Sequence, residues 1–384
     1  MAEHLTAAQV AERLGVKVET VYAYVSRGLL ANVRTGDGSR FEPLDVEEFA
    51  RGRRQVRRGG QASPLALQTS IAHIEDGDLL LRERPIASLA DLRFEDVVRW
   101  LWWDDDELDS GGPFRVDERD VQAARAVVAA LGPSAPLLDR ISVATIALSA
   151  SDPLRHAPGE VSAVGERLIA GVVAALGAEA GGWIAQTLPS ALGGAVPSEL
   201  LNTALVLLIE HDLAISTLAA RAAASARASV YASVQAALGA LDSPLHGTAS
   251  ASAARLLRRT GEIGAAPALA ETLSQTGRPA PGFGHALYPD GDPRARLLLA
   301  RLRETGAALH AADELCALLL ERTGQHPNID LALAAMICAF GLQDDAGAAI
   351  FAVARMAGWI AHISDEYRQP LLRLRPAGIH VAAR

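Results

Sequence analysis

The strongest constraint on the fold is the long succession of apolar patterns with helical spacing that follows Gly77. No alternation of strand and helix patterns interrupts it, which argues against a parallel sheet. Half of the residues are hydrophobic but only 4% are aromatic, a composition that favours closely packed helices over β-branched sheets. We therefore predict an all-α protein. The helical patterns lie at 94–103, 117–131, 138–148 and 161–176, with two Ala- and Ser-rich helices between 200 and 241 and short extended segments at 65–74 and 79–85.

The composition also excludes several kinds of location and chemistry. The formal net charge is −9, and no apolar run reaches the roughly 18 residues of a membrane span, so we predict a soluble protein that does not enter a membrane. The first residues lack a signal pattern, which favours the cytoplasm. Lys17 is the only lysine, so the body has no Schiff-base or P-loop lysine. Cys316 and Cys338 lie in apolar helical patterns without a His pair at ligand spacing, which predicts buried thiols and no metal site.

Residues 1–60 have the pattern of a separate module. Thr6 and Gln9 have the spacing of a capping box, and the short helix that they begin ends at Gly15. A second helix is predicted at 18–26, followed by a glycine-containing segment with several arginines. This order resembles the small winged helix-turn-helix of MerR and excisionase proteins.

The resemblance implies that the second helix of the module enters the major groove of DNA. The possible DNA contacts are Lys17, Thr20 and Tyr22, with Arg40 in the wing. An arginine cluster at 51–58 would contact phosphates, and a linker with Gly and Ser extends to residue 64. Small helix-turn-helix folds also dock proteins, so DNA binding and protein docking both remain open.

Three short segments each place an ionisable side chain beside glycine or proline. They carry His246, His285 and Asp330, and the backbone can turn sharply there and expose the side chain to a cleft. Two imidazoles and one carboxylate are sufficient to remove a proton from carbon while stabilising the oxygen that becomes an enolate. The segments therefore predict proton-transfer chemistry at carbon.

A longer series of motifs surrounds these three residues. The segments lie, in chain order, at 210–213, 216–221, 238–247, 282–285, 291–295, 326–330 and 351–362, with Arg375-Pro376 near the end. Their order and spacing resemble the citrate synthase family over residues 65–384. The resemblance implies condensation of acetyl-CoA with oxaloacetate through an enol or enolate, and then hydrolysis of citryl-CoA to citrate and CoA. In it, Asp330 matches the general base, His246 the donor to the thioester oxygen, and His285 the residue that polarises and later protonates the ketone.

The resemblance also assigns ligands and an architecture. Guanidinium groups bind carboxylates in bidentate fashion, and the predicted oxaloacetate ligands are His211, Arg294, Arg355 and Arg375. In the family the last arginine reaches the neighbouring subunit's site, which implies a homodimer or a higher even oligomer. Acetyl-CoA is expected as a co-substrate, with no permanently bound cofactor.

The implied fold has two helical domains after the module. The large domain would comprise residues 63–245 and 336–384, and the small domain residues 246–335. Closure of one on the other would exclude water during enolisation. His326 and His362 are predicted to be structural.

The chain departs from the family pattern on the side that binds CoA. Basic residues that many bacterial members carry are replaced by Ala286 and Pro289, and Thr248 follows the His246 motif where the family usually has other residues. Arg278 and the arginines at 255–259 are candidates to replace the lost charge. Two alternatives therefore stay open: a DNA-binding regulator whose body senses oxaloacetate or citrate, and a 2-methylcitrate synthase that uses propionyl-CoA.

Overall fold

The computed structural model describes residues 4–36, 38–57, 67–103, 111–156, 160–244 and 246–376, with the backbone alone at 51–57. The predicted arginine cluster at 51–58 and the linker that follows it therefore lie outside the described side chains. Within the described ranges the chain is mostly helical, with two small antiparallel sheets. The all-α prediction is confirmed.

The N-terminal module combines helices with a three-stranded sheet in the order β1-β3-β2. Its elements are β1 (Leu5–Thr6), α1 (Ala7–Leu14), α2 (Val18–Ser26), β2 (Val33–Thr35), β3 (Gly38–Phe41) and α3 (Pro43–Arg57). The capping box is present, since the Gln9 N–H donates to Thr6 Oγ1 and the Thr6 N–H donates to Gln9 Oε1. Helix α1 ends at Gly15, whose φ of 62° suits glycine. A small apolar core around Val10 and Val21 holds the module together.

The body begins with an antiparallel sheet and continues as a series of helices. Its elements are β4 (Ala72–Glu75), β5 (Asp78–Leu81), β6 (Arg84–Pro85), α4 (Ile86–Leu89), α5 (Phe94–Trp103), α6 (Glu118–Ala129), α7 (Leu137–Ser151), α8 (Val161–Ala175), α9 (Ile184–Thr187), a 3-10 turn at Leu188–Ala191, α10 (Ser198–Leu208), α11 (Ile215–Ser225), α12 (Val230–Leu241), α13 (Ala249–Ile263), α14 (Ala265–Thr276), α15 (Pro293–Glu304), α16 (His310–Thr323), α17 (Ile329–Phe340) and α18 (Ala346–Tyr367).

Helix α18 runs through the centre of the body. Its positions from Ala346 to Ile363 are all buried, and it packs against α8, α10, α11 and α12. The helix is long and apolar enough to cross a membrane, but its apolar window is wholly buried inside the protein. It is therefore built as a core helix, and it carries Arg355 into the centre of the fold.

Most predicted helices agree with the structure within a few residues, but two predictions were wrong. The region 200–241 contains α10, α11 and α12 rather than two helices. Asp212 and Arg227, in the turns between them, have positive φ values of 50° and 61°, which no helix accommodates. Cys316 and Cys338 are half-buried, because each packs against the core from its margin.

One hydrophobic core extends through the body from Ile71 to Ile363. Residues of both predicted domains contribute to it, so the division at 246 and 335 stays a prediction.

The module is seated on the body through α3. Leu44 at the start of α3 is fully buried and belongs to the core of the body rather than to that of the module. Helix α3 packs against α14, and Arg322 of α16 forms ion pairs with Asp45 and Glu48. The module therefore contacts the helices between residues 265 and 323.

Candidate active site

Two of the glycine-flanked segments lie side by side. The Asn328 N–H donates to the Gly282 carbonyl over 2.9 Å. Glycine is required at this point, because φ is 84° and an added Cβ would come within 3.0 Å of Leu331. The pairing brings the loop that carries His285 to the start of α17, where Asp330 lies.

His246 lies in the turn after α12, where its ring contacts Ser216. Its Nε2 is 2.8 Å from Ser216 Oγ, and Trp359 Nε1–H donates to the same oxygen over 3.3 Å. Ser216 Oγ can accept the indole N–H and donate its own proton to Nε2, and in that arrangement the neutral His246 ring carries its proton on Nδ1. Burial, with the nearby Arg355 charge, lowers the pKa of His246 to about 4. The ring is thus a neutral hydrogen-bond donor at neutral pH.

His285 belongs to a cluster of three rings. Its centroid is 4.8 Å from that of His211 and 4.9 Å from that of Tyr288. The Leu287 N–H donates to His285 Nδ1 over 3.1 Å, so the neutral ring carries its proton on Nε2. Burial lowers the pKa of both histidines, and the positive charges of the site lower them further. His285 can therefore donate a hydrogen bond without itself being charged.

Arg355 presents two unused nitrogens to the site. Its Nε donates to the Leu208 carbonyl over 2.8 Å, but Nη1 and Nη2 are buried and have no partner among the described residues. His211 Nε2 and Tyr288 Oη are buried and unpartnered there as well. Burial lowers the pKa of Arg355 to about 10, so the group stays charged at neutral pH. Unsatisfied donors of this kind are costly unless they bind oxygen atoms of an anion.

Arg294 is held in a buried ion pair at the start of α15. Its Nε and Nη2 donate to Asp292 Oδ1 and Oδ2 over 3.0 and 2.8 Å. Burial works to raise the pKa of Asp292, but the Arg294 guanidinium holds it below its usual value. Asp292 also accepts the Ile329 N–H over 3.0 Å, which ties α15 to α17. Asp292 therefore engages Nε and Nη2 of Arg294 but not Nη1.

Asp330 lies in the first turn of α17 and borders a cavity of about 530 Å³. The side chain of Asn328 caps this turn by accepting the Asp330 N–H over 3.0 Å. Burial raises the pKa of Asp330 to about 7, against the opposing effect of Arg294. A carboxyl group with such a pKa is a stronger base than an ordinary aspartate, and it faces a space that can hold an organic ligand.

The comparisons with known proteins identify the family. A model described as the citrate synthase C-terminal domain matches residues 60–377. The chain belongs to the citrate synthase family. A second model, a helix-turn-helix domain, matches residues 5–54, so the winged helix-turn-helix prediction is also confirmed at the level of the family.

Curated relatives of the citrate synthase family match part of the chain. It is 31% identical to citrate synthase 2 of Bacillus subtilis over 194 residues, which are 48% of this chain and 52% of the relative. It is 35% identical to citrate synthase of Haloferax volcanii over 199 residues, with the same shares. It is 32% identical to 2-methylcitrate synthase 2 of Corynebacterium glutamicum over 179 residues, 45% of this chain and 46% of the relative. The match spans about half the length of these relatives.

Solved citrate synthases share the fold over nearly their full length. The enzyme of Thermotoga maritima has a TM-score of 0.66 at 26% identity, covering 85% of this chain and 96% of that one. A ternary complex of the Thermoplasma acidophilum enzyme with carboxymethyl coenzyme A and oxaloacetate has a TM-score of 0.67 at 20% identity, covering 83% and 94%. The predicted citrate synthase-like fold is therefore confirmed.

On the CoA side expected for a citrate synthase, three arginines line the Asp330 cavity: Arg255, Arg259 and Arg278. Arg259 is engaged by Glu262 and Glu271 over 2.9 and 2.8 Å. Arg255 donates to a neighbouring serine in its own helix. Three of the four candidates to replace the missing basic residues therefore lie on the cavity wall, whereas Arg258 lies outside its lining and pairs with Asp344.

The three departures from the citrate synthase pattern lie outside the lining of that cavity. Ala286 and Pro289 are exposed, and Thr248 is the half-buried residue just before α13. The wall of the Asp330 cavity therefore does not include these three positions.

Arg375 is not brought to the other predicted ligands. It is exposed near the end of the described chain, where the Leu372 N–H donates to the Ser225 carbonyl. Ser225 ends α11, whereas Ser216, which holds His246, begins it, and the two are about 14 Å apart along the helix. The chain beside Arg375 is thus attached to the opposite end of α11 from Ser216.

In the module, three of the predicted DNA contacts lie at or on α2, and the fourth, Arg40, lies on β3. Lys17 is the exposed residue before α2, Tyr22 is 47% exposed, and Thr20 and Arg40 are half-buried. Several residues of the site were not singled out from the sequence, namely Glu210, Ser216, Tyr288 and Trp359. Tyr288 has a local signal, as an aromatic residue three positions after His285 in a chain where aromatics are scarce. The other three lie within the family-like segments, but only their contacts indicate what they do.

Proposed function

We propose that the protein condenses acetyl-CoA with oxaloacetate and hydrolyses the resulting thioester to citrate and CoA. The observation that carries the proposal is the buried Arg355 guanidinium, whose Nη1 and Nη2 are unpartnered among the described residues, beside the histidine rings and within the same fold as a basic carboxylate. A carboxylate of oxaloacetate fits two parallel N–H donors. His211 and Arg294 are the proposed additional ligands.

Each proposed catalytic residue has a protonation state that suits its role. Asp330 takes a methyl proton from the thioester, and its raised pKa increases its basicity. His246, neutral and protonated on Nδ1, donates a hydrogen bond to the thioester oxygen as negative charge develops there. His285 donates a hydrogen bond from Nε2–H to the ketone oxygen, passes that proton to the alkoxide formed as the enolate carbon attacks, and recovers a proton from solvent. Attack of the enolate carbon on the ketone forms the new carbon–carbon bond.

Release of the free thiol of CoA tests this proposal. The protein should release CoA from acetyl-CoA only when oxaloacetate is present, and Asp330→Asn should reduce the rate by about a thousandfold or more, since it removes the base. Asp313→Asn, an exposed change in α16, is the matched control. Equal release with and without oxaloacetate, or none at all, would rule the enzyme out and leave the metabolite-sensing regulator as the alternative.

Propionyl-CoA is the second candidate co-substrate, because the chain is as similar to a 2-methylcitrate synthase as to citrate synthases. One methylene changes binding by about 1 to 3 kcal/mol. The ratio of kcat/KM for acetyl-CoA to that for propionyl-CoA, measured at saturating oxaloacetate, decides between the two.

We further propose that the module binds duplex DNA through α2 and the wing. The match to a helix-turn-helix domain and the exposure of Lys17 and Tyr22 support this. Lys17→Ala combined with Arg40→Ala should weaken binding and reduce its salt dependence, while Arg303→Ala on the body should not. Binding that is unaffected by the double substitution would favour protein docking instead.

The assembly is proposed to be a homodimer, or a higher even oligomer, in the cytoplasm. Arg375 is exposed, and the chain beside it is attached at the opposite end of α11 from Ser216, which supports a role in a neighbouring subunit. Light scattering gives the oligomeric state, and mixing Arg375→Ala subunits with Asp330→Asn subunits tests whether Arg375 acts in the neighbouring subunit's site. If it does, one of the two sites in each mixed dimer is intact, so a mixed dimer should have about half of the wild-type activity. A fully active monomer would contradict the proposal.

A further inference from the structure

Two ionisable side chains lie behind Arg355 in the fully buried centre of the body. Glu210, after α10, and His362 of α18 both have no exposed surface. Their nearest atoms, Glu210 Oε2 and His362 Nε2, are 3.6 Å apart. Neither atom has a hydrogen-bond partner, and His362 Nδ1 has none among the described residues. Buried groups of this kind require an explanation.

The close approach of these two side chains depends on a glycine in α18. An added Cβ at Gly358 would come within 2.2 Å of Glu210 Oε2 and 2.3 Å of the Ile209 carbonyl, so glycine is needed where α18 crosses the end of α10. The other oxygen, Glu210 Oε1, accepts the backbone N–H of His211 over 2.9 Å. Glu210 therefore contacts the His211 backbone and neighbours Arg355 at the same time.

Few charges surround the pair. The titratable or charged groups that face it are Arg355 on α18, His211 and Asp212 in the turn after α10, and Arg221 on α11, which is itself paired with Glu366. Arg355 is the cation that acts on Glu210, and its Nη1 and Nη2 have no carboxylate partner in the described structure. Without a ligand, ionised Glu210 balances it across a medium of low dielectric constant.

A dicarboxylate bound at Arg355 changes this balance. Its carboxylate competes with Glu210 for one guanidinium, and two anions beside one buried cation are unfavourable. A proton on Glu210 Oε2 removes the conflict, because the O–H can then be donated to His362 Nε2. Burial raises the pKa of Glu210 to about 7 and lowers that of His362 well below its usual value, so His362 is a neutral acceptor.

We propose that Glu210 and His362 form a buried positioning pair that takes up a proton from solvent when a dicarboxylate binds Arg355, and so holds Arg355 and His211 in place. The inference rests on the proposed function only in taking oxaloacetate as the ligand. It adds a proton linkage that the condensation does not require.

Calorimetry of oxaloacetate binding, without acyl-CoA, measures this linkage. In two buffers of different ionisation enthalpy at pH 7.5, the wild type should take up a large fraction of a proton, and its Kd should rise by close to tenfold from pH 7.5 to 8.5. Glu210→Gln mimics the protonated acid, so it should bind with little proton uptake and a flat pH profile. His362→Phe should reduce the uptake and His362→Gln should restore part of it, while His310→Gln, exposed on α16, should match the wild type.

Proton uptake that is equal in wild type and Glu210→Gln overturns the linkage. Failure of the wild type to bind oxaloacetate contradicts the proposed function instead. In that case the infrared difference spectrum between wild type and Glu210→Gln tests whether Glu210 takes up a proton beside His362. A protonated carboxyl band that titrates near neutral pH supports the proposal, and absence of the band overturns it. Thermal unfolding of each variant verifies that it is folded.

Discussion

The two sides of the site differ in how their charges are arranged. On the side proposed to bind oxaloacetate, Arg355 and Arg294 are 1% and 2% exposed and are held by other buried groups. On the side proposed to bind CoA, the arginines line the Asp330 cavity, and Arg259 already shares its charge with two glutamates. Exposed cations, whether in water or in surface ion pairs, contribute little, whereas a buried guanidinium with unpartnered nitrogens, such as that of Arg355, contributes much. The affinity and specificity of substrate binding should therefore come mainly from the side proposed to bind oxaloacetate.

The largest effect is expected from Arg355→Met. The substitution removes the buried cation whose two nitrogens are unpartnered in the described structure, so the KM for oxaloacetate should rise by about a hundredfold or more, or roughly 3 kcal/mol. Steady-state kinetics in oxaloacetate at saturating acetyl-CoA measures it. Arg368→Met, at a side chain that is 66% exposed just after the end of the same helix, should have almost no effect. Equal effects of the two changes would contradict the difference between buried and exposed cations.

The pH dependence of kcat/KM tests whether Asp330 is the general base. Asp330 must be ionised to accept a proton, and burial raises its pKa to about 7. Below that pH the ionised fraction falls about tenfold per unit, so kcat/KM for acetyl-CoA should fall in step as the pH drops from 7 to 5.5 and level off above 8. An exposed aspartate as base would keep the profile flat down to about pH 5. A flat profile would therefore remove Asp330 from the role.

The sequence predicted features whose causes are local along the chain better than features that depend on contacts between distant segments. Helix ends set by nearby residues, such as the Thr6 capping box and Gly15, agree with the structure because their causes are local. The ordered motifs placed His246, His285 and Asp330 in one fold because their spacing is distinctive. The unpartnered state of Arg355 depends on how α18 crosses α10, and no local pattern reports that.

The same distinction explains the errors and omissions. The wrong helix count at 200–241 arose because the turns at Asp212 and Arg227 contain no glycine or proline. Ser216 was not singled out because its partner, His246, is 30 positions away. Pairing of Arg294 with Asp292 was missed for another reason: an Asp-Pro-Arg sequence starts many helices, and only burial makes the pair strong.

A moderate effect is expected on the CoA side. Arg278→Ala removes a cation from the wall of the Asp330 cavity, and we expect the KM for acetyl-CoA to rise by about three- to tenfold, with little change in the KM for oxaloacetate. The effect should shrink as salt is added, because an accessible charge is screened. Arg259→Ala should cost less, since its charge is already shared with Glu262 and Glu271. A loss at Arg259 greater than at Arg278 would contradict this order.

The smallest effect should come from restoring the charge that the family pattern predicts. Ala286 is exposed and lies outside the lining of the Asp330 cavity, so an arginine there would act on CoA phosphates mostly through water. Interactions of that kind are worth about 0.3 to 1 kcal/mol, which makes Ala286→Arg lower the KM for acetyl-CoA by about two- to fivefold at low salt. Leu287→Arg places the same charge one residue along the exposed loop and separates a specific contact from a general effect of charge. A gain confined to Ala286→Arg indicates a phosphate contact, equal gains indicate general attraction, and a gain larger than the Arg278→Ala loss would mean that the CoA side depends on this loop rather than on the cavity arginines.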